Sequence, residues 1–281
     1  MQSVVTVAEH LAELLHWYVE MGVDIAVDAA PHDRFAETPA SELVHAEAKS
    51  PSPAPPVAVE AGRRVTRESA PALSAGAVEA TALDAAAAAK NLDDLRDRLS
   101  RFDGCGLKAT ATRLVFGDGN PQAEIMFVGE APGADEDRQG VPFVGRAGQL
   151  LDKMLASIDL DRGKVYIANV VPWRPPGNRT PTPLETAACL PFTRRQIELV
   201  GPKILVCLGA AAAQTLLGAT AGIMRMRGRW FTYPAGDTEI MATAMLHPAY
   251  LLRQPAQKKL AWQDLRMLAK EINRLQLAAK G

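Results

Sequence analysis

Residues 124–133 read Glu-Ile-Met-Phe-Val-Gly-Glu-Ala-Pro-Gly, and this stretch decides the fold. Its first half, Glu124–Gly129, is a short apolar run closed by a turn signal, the pattern of a strand buried on both faces. Its second half sets two glycines around a proline, a tight turn that brings backbone N–H groups close to a ligand, although an ordinary strand-to-helix loop would look the same. Three further runs repeat the strand pattern: Val165–Val171, Lys203–Leu208 and Glu239–Leu246. Residues 147–158, 183–200, 210–217 and 257–276 carry helical patterns. Strands alternating with helices imply a parallel sheet covered on both sides, so the expected fold is α/β: three layers, αβα, around a central four-stranded parallel sheet.

Upstream, the Ala-rich segment 76–100 (ALDAAAAAKNLDDLRDRL at its centre) joins high helix propensity to Leu92, Leu95 and Leu99 on one face. The folded domain is expected to start there and to run over residues 76–281. Residues 38–75, with SPSPAPPVAVEAG in the middle, hold neither strand nor helix periodicity and read as a disordered linker. Residues 5–22 place Leu11, Leu14, Leu15 and Tyr18 at helical spacing, which predicts an amphipathic helix within an N-terminal segment 1–37.

The 281 residues are 48% hydrophobic, enough for a sizeable core. A net charge of −1 argues against a polyanionic partner only on average. Residues 1–90 hold 6 Lys and Arg against 13 Asp and Glu, while residues 91–281 hold 25 against 19. The C-terminal two-thirds is therefore net positive, the sign that suits DNA. Cys105, Cys189 and Cys207 are irregularly spaced and follow no secretory signal pattern, which points to a reducing cytoplasm. The apolar runs fall far short of the ~20 residues that span a bilayer, so no membrane role is expected.

Polar residues cluster just after the strands, where sheets of this kind bind ligands. Gly129-Glu130 opens the first cluster, followed by Asp135-Glu136-Asp137 and Gly140-Val141-Pro142-Phe143-Val144-Gly145. After the second strand come Asn169 and Trp173-Arg174-Pro175-Pro176-Gly177-Asn178-Arg179. After the fourth comes His247-Pro248-Ala249-Tyr250-Leu251-Leu252-Arg253. A lone His after a strand is usually structural, whereas three polar clusters at successive strand ends point to a site.

Taken together, GEAPGADEDRQGVPFVGRAGQLLDKML, YIANVV with its following RPPGNR, MRGRW and HPAYLLR resemble the family 4 uracil-DNA glycosylases over about residues 102–275, in that family's order. The resemblance implies a monofunctional DNA N-glycosylase of base excision repair, a hydrolase that flips uracil out of DNA and leaves an abasic site. It implies catalytic roles for Glu130 (water positioning and stabilisation of the sugar cation), Glu136 (pocket shape or holding the water) and His247 (a hydrogen bond to uracil O2). Phe143 would stack on the base, Asn169 would pair with O4 and N3–H, and the turn beginning at Gly129 would supply backbone donors. Arg179 and Arg253 would meet phosphates, and Leu251 or Leu252 would fill the gap left by the flipped base. Arg225, Arg227 and Arg229 would add to a positive face.

The partner would be uracil-containing DNA, single- or double-stranded, and the protein a monomer. Two alternatives stay open: a non-catalytic binder of damaged DNA, and a glycosylase for another deaminated base such as hypoxanthine or xanthine. The family normally ligates a [4Fe–4S] cluster with four cysteines. Here the second and fourth positions are Cys105 and Cys189, but the first is Phe102 and the third Trp173, neither of which coordinates iron. The expectation is that the cluster is absent and that no cofactor is needed.

Overall fold

The computed structural model describes residues 75–277. The chain divides into units Met1–Thr66 and Arg67–Gly281. The first unit, with the expected N-terminal helix and most of the expected linker, lies outside the described residues.

The Ala-rich segment forms two helices rather than one, α1 (Ala75–Ala87) and α2 (Leu92–Arg101). Asn91 separates them: its side-chain oxygen accepts the Asp94 N–H at 2.8 Å, the bond of a helix N-cap. Leu95 and Leu99 are buried, as the periodicity predicts. The chain then runs through β1 (Asp118–Gly119), β2 (Ile125–Gly129), α3 (Ala134–Gln139), α4 (Arg146–Ala156), β3 (Tyr166–Asn169) and α5 (Pro183–Val200). It continues through β4 (Ile204–Leu208), α6 (Ala210–Leu217), α7 (Ile223–Met226), β5 (Trp230–Ala235), β6 (Thr238–Met245), α8 (Pro248–Arg253) and α9 (Lys258–Leu275).

The sheet order is β1-β3-β2-β4-β6-β5. The four inner strands are parallel and are the four expected ones. The outer two correct the four-stranded count, since β1 and β5 each add an antiparallel edge. Successive side chains of a strand point to opposite faces, and the core divides accordingly. Met126, Val128, Ala168, Leu205, Cys207 and Ala244 pack on one side with residues of α1, α2 and α5. Ile125, Phe127, Ile167, Ile204 and Val206 pack on the other with residues of α4 and α9. This is the three-layer αβα arrangement.

The topology fixes where a ligand can sit. From β2 the chain crosses to β3 on one side and returns to β4 on the other, so the strand order reverses at β2 and opens a crevice at the strands' carboxyl ends. Gly129, Asn169, Gly209 and His247 lie at or just beyond those ends.

Candidate active site

The crevice is a cavity of about 750 Å³ whose wall includes Glu130, Phe143, Asn169, Thr180, His247 and Arg253. Gly129 forms its narrowest wall. A Cβ there would lie 2.5 Å from Asn169 Oδ1 and 2.6 Å from the Phe143 ring, so only glycine lets the strand end, the amide and the ring meet.

Phe143 is held against its own preference. Its φ is +55°, a region L-residues avoid. Arg162 maintains it: the guanidinium donates to the carbonyls of Phe143 and, at 3.1 Å, Pro142, while pairing with Asp118 at 2.7 Å and Asp152 at 2.8 Å. Gly148 makes room for the bend, because a Cβ there would stand 1.6 Å from the Phe143 carbonyl oxygen. The Phe143 ring ends 5.6 Å from that of His247, tilted by 30°.

His247 caps α8. The Ala249 N–H donates to its Nδ1 at 3.1 Å, which leaves Nε2 to carry the proton of the neutral ring. Burial, reinforced by the Arg253 charge, pushes the imidazole down to about 4, so it is neutral at physiological pH and still a donor. Asn169 is buried, and its Oδ1 has no hydrogen-bond partner. Glu130 Oε1 is in the same condition. Burial raises the Glu130 carboxyl above the usual carboxylate range, opposed by a hydrogen bond from the Thr180 hydroxyl. Buried oxygens are nearly always satisfied in folded proteins, so two orphans on one cavity wall mark a place for a polar ligand.

Other expected site residues lie elsewhere in role. Glu136 lines the cavity, but its carboxylate already accepts three backbone N–H groups, from Gly133 at 3.1 Å and from Val144 and Gly145 at 2.9 Å each. It therefore braces the two loops that carry Glu130 and Phe143, and its expected catalytic role is corrected to that of shaping the pocket. The Gly133 amide, one of the expected backbone donors, is likewise occupied. Arg179 is committed to Glu185 through two bonds of 2.8 and 2.7 Å, so its fork is not free for a phosphate. Leu251 is buried at 1% exposure in the core under α8, which excludes it as a wedge, whereas Leu252 is 36% exposed. Arg227 is not part of a positive face: it forms a two-pronged ion pair with the buried Asp264. Arg253 is exposed at the cavity rim with no ion pair among the described residues.

Sequence reasoning passed over Arg162, Gly148, Gly209 and Thr180. The two glycines stand in motif-rich segments and carried a usable signal; Gly209, with φ +91°, lies 3.1 Å from the His247 Cβ when given a Cβ of its own. Arg162 and Thr180 are single polar residues in loops, and no periodicity points to them.

The four family cluster positions test whether iron fits. Phe102, Cys105, Trp173 and Cys189 are all buried in one apolar cluster, with the Phe102 ring 5.1 Å from that of Phe192. Cys189 hydrogen-bonds Cys105, and Cys207, alone in β4, is pushed up to about 12 by burial. Asp103 points to solvent and pairs with Lys108 at 2.6 Å. Two thiols and two hydrocarbon rings do not fit a cluster that needs four ligands. Among the described residues no group of three or more His, Cys, Asp or Glu is placed to hold a metal.

The family model of the Uracil DNA glycosylase superfamily matches residues 116–266. The chain is 44% identical over 170 residues to the type-4 uracil-DNA glycosylase of Archaeoglobus fulgidus, covering 59% of this chain and 85% of that protein. It is 43% identical over 163 residues to the type-4 enzyme of Thermotoga maritima, covering 58% and 83%. A type-5 uracil-DNA glycosylase of Thermus thermophilus is 36% identical over 120 residues, covering 37% and 54%.

Proposed function

Because the chain belongs to the uracil-DNA glycosylase superfamily, and within it to the type-4 enzymes, we propose that it removes uracil from DNA by hydrolysing the N-glycosidic bond. One observation carries the reading at the level of chemistry: Glu130 Oε1 and Asn169 Oδ1 are buried, unpartnered and on the wall of one cavity. A flipped uracil and a water would satisfy both.

Phe143 stacks on the ring. Asn169 accepts N3–H through its orphan oxygen and donates to O4, a pairing that cytosine reverses. His247, neutral and protonated on Nε2, donates to O2 as negative charge collects on the departing base. Bond cleavage leaves positive charge on the sugar. The Glu130 carboxylate faces that charge and holds the attacking water. No lysine lines the cavity, which favours direct hydrolysis over a covalent imine. Arg253 takes a phosphate at the rim, and Leu252 enters the gap left by the base.

The donor set supports an enzyme without an iron–sulfur cluster, its place taken by Phe102 and Trp173. No helix among the described residues is long and apolar enough to cross a membrane. Three free thiols suit the cytoplasm, and a monomer on single- or double-stranded DNA suffices for this chemistry. The readings as a non-catalytic damage binder, or as an enzyme for hypoxanthine or xanthine, gain no support from relatives named for uracil.

The test is incubation with uracil-containing single- and double-stranded oligonucleotides, then alkaline cleavage. Strand scission at uracil is expected on at least one of them. Intact strands on both would overturn the reading, and a borohydride-trapped adduct would overturn the hydrolytic mechanism.

A further inference from the structure

We propose that Thr180 is a positioning residue for excision, its hydroxyl holding the Glu130 carboxylate so that the other side of that group faces the glycosidic bond. The inference rests on the glycosylase reading above and adds a residue to it.

The Glu130 main chain is fixed, because its carbonyl accepts the Val171 N–H at 3.0 Å. Its side chain is not fixed by any ion pair among the described residues. A free glutamate has three rotatable bonds and loses about 1.5–2 kcal/mol of rotamer entropy when ordered. The hydrogen-bonding neighbour that orders this one is the Thr180 hydroxyl. Both residues line the cavity of about 750 Å³, and both line a smaller chamber of about 400 Å³ beside it, so together they form part of the partition between the two.

Thr180 is itself anchored from outside the pocket. Arg179 Nη1 donates to the Thr180 carbonyl at 3.1 Å while the same guanidinium grips Glu185. Glu185 in turn accepts the Thr182 N–H at 2.7 Å, and Thr182 caps the first turn of α5. The Arg179 guanidinium holds Glu185 at about 2, so the clamp stays ionised across the working range. The residue expected to touch DNA thus serves to seat the loop that carries Thr180.

The other titratable and charged groups on the same cavity wall are Glu136, Arg179, His247, Tyr250 and Arg253. Glu136 is taken by three amides, Arg179 by Glu185, and His247 is neutral. Burial works to protonate Glu130, and the Thr180 hydroxyl, a donor to the ionised form, works against it. Removing the hydroxyl should free the side chain and move its titration upward.

The test uses the full chain with Thr180→Val, which keeps the shape, and Thr180→Ser, which keeps the hydroxyl. Single-turnover release of uracil is followed across pH, and the Glu130 carboxyl is titrated by carbon NMR in the absence of DNA. The valine variant should shift the acid limb to higher pH and lower the plateau about three- to tenfold, the worth of one hydrogen bond. Its Glu130 should titrate above that of the unmodified protein, and serine should restore all three readings. A valine profile and titration that superimpose on those of the unmodified protein overturn the proposal, as does an equal loss in the serine variant, which marks a packing role. An unmodified protein that releases no uracil sinks the glycosylase reading, while the NMR titration still decides whether Thr180 governs Glu130.

Discussion

The Ala249 N–H donates to His247 Nδ1 at 3.1 Å, and this single bond determines which face of the imidazole can donate into the pocket. Replacing His247 with Gln should lower single-turnover uracil release by about 100- to 1,000-fold, the usual cost of one donor to developing negative charge. Affinity for uracil-containing DNA should change little, because the bond strengthens only as the base departs.

The same residue predicts a dependence of stability on pH. Above 6.5, its ordinary value, His247 is neutral in both states and has no effect. As pH falls from 6.5 towards 4 the unfolded chain binds a proton that the folded protein refuses, so stability drops, by up to about 3 kcal/mol. Denaturant titrations at pH 7 and 4.5 should show a smaller loss for His247→Gln than for the unmodified protein. Equal losses would mean that the buried ring takes up its proton in the folded state.

Asn169→Asp exchanges a donor and an acceptor for two acceptors beside an oxygen that is already unpartnered. Uracil release should fall, and the preference between uracil and cytosine should move towards cytosine, whose exocyclic amine is a donor. Paired oligonucleotides differing only in that base measure the ratio, and an unaltered ratio would remove Asn169 from base recognition.

Gly148→Ala should destabilise the domain by about 1–3 kcal/mol or more, since the added methyl collides with the Phe143 backbone rather than with a yielding side chain. Gly106→Ala is the control: a Cβ there meets nothing within 4 Å, and its effect should stay within about 0.5 kcal/mol. Thermal melts of the two variants compare them directly.

Anaerobically purified protein should be colourless and free of iron, given two thiols and two rings at the cluster positions. About four irons per chain with a broad visible band would contradict this. Trp173→Ala should cost about 3–5 kcal/mol, because a ring 2% exposed leaves a large void behind it.

The inner strands and the longer helices were legible because each is long enough to show its period. The edge strands were not. β1 has two residues, too few to form a pattern, and β5 carries Pro234, which a sheet tolerates at an edge but which reads as an interruption. Glu130, Asn169, His247 and Phe143 were found because family motifs carry them, and the structure brings them to one cavity. Glu136, Arg179 and Arg227 were misjudged for a shared reason. A charged residue in a loop reads as available, and only coordinates reveal that each already has a partner.

Arg162 joins Asp118 on the sheet's two-residue edge strand to the backbone of Phe143, whose ring faces the base pocket. Edges open before cores do when a protein is warmed, in local events well short of unfolding. Each such opening would release one end of the brace and let Phe143 relax from its left-handed backbone geometry. Activity should then fail at a lower temperature than the fold and return on cooling. The weakest strand of the sheet would act as a thermal fuse for the pocket.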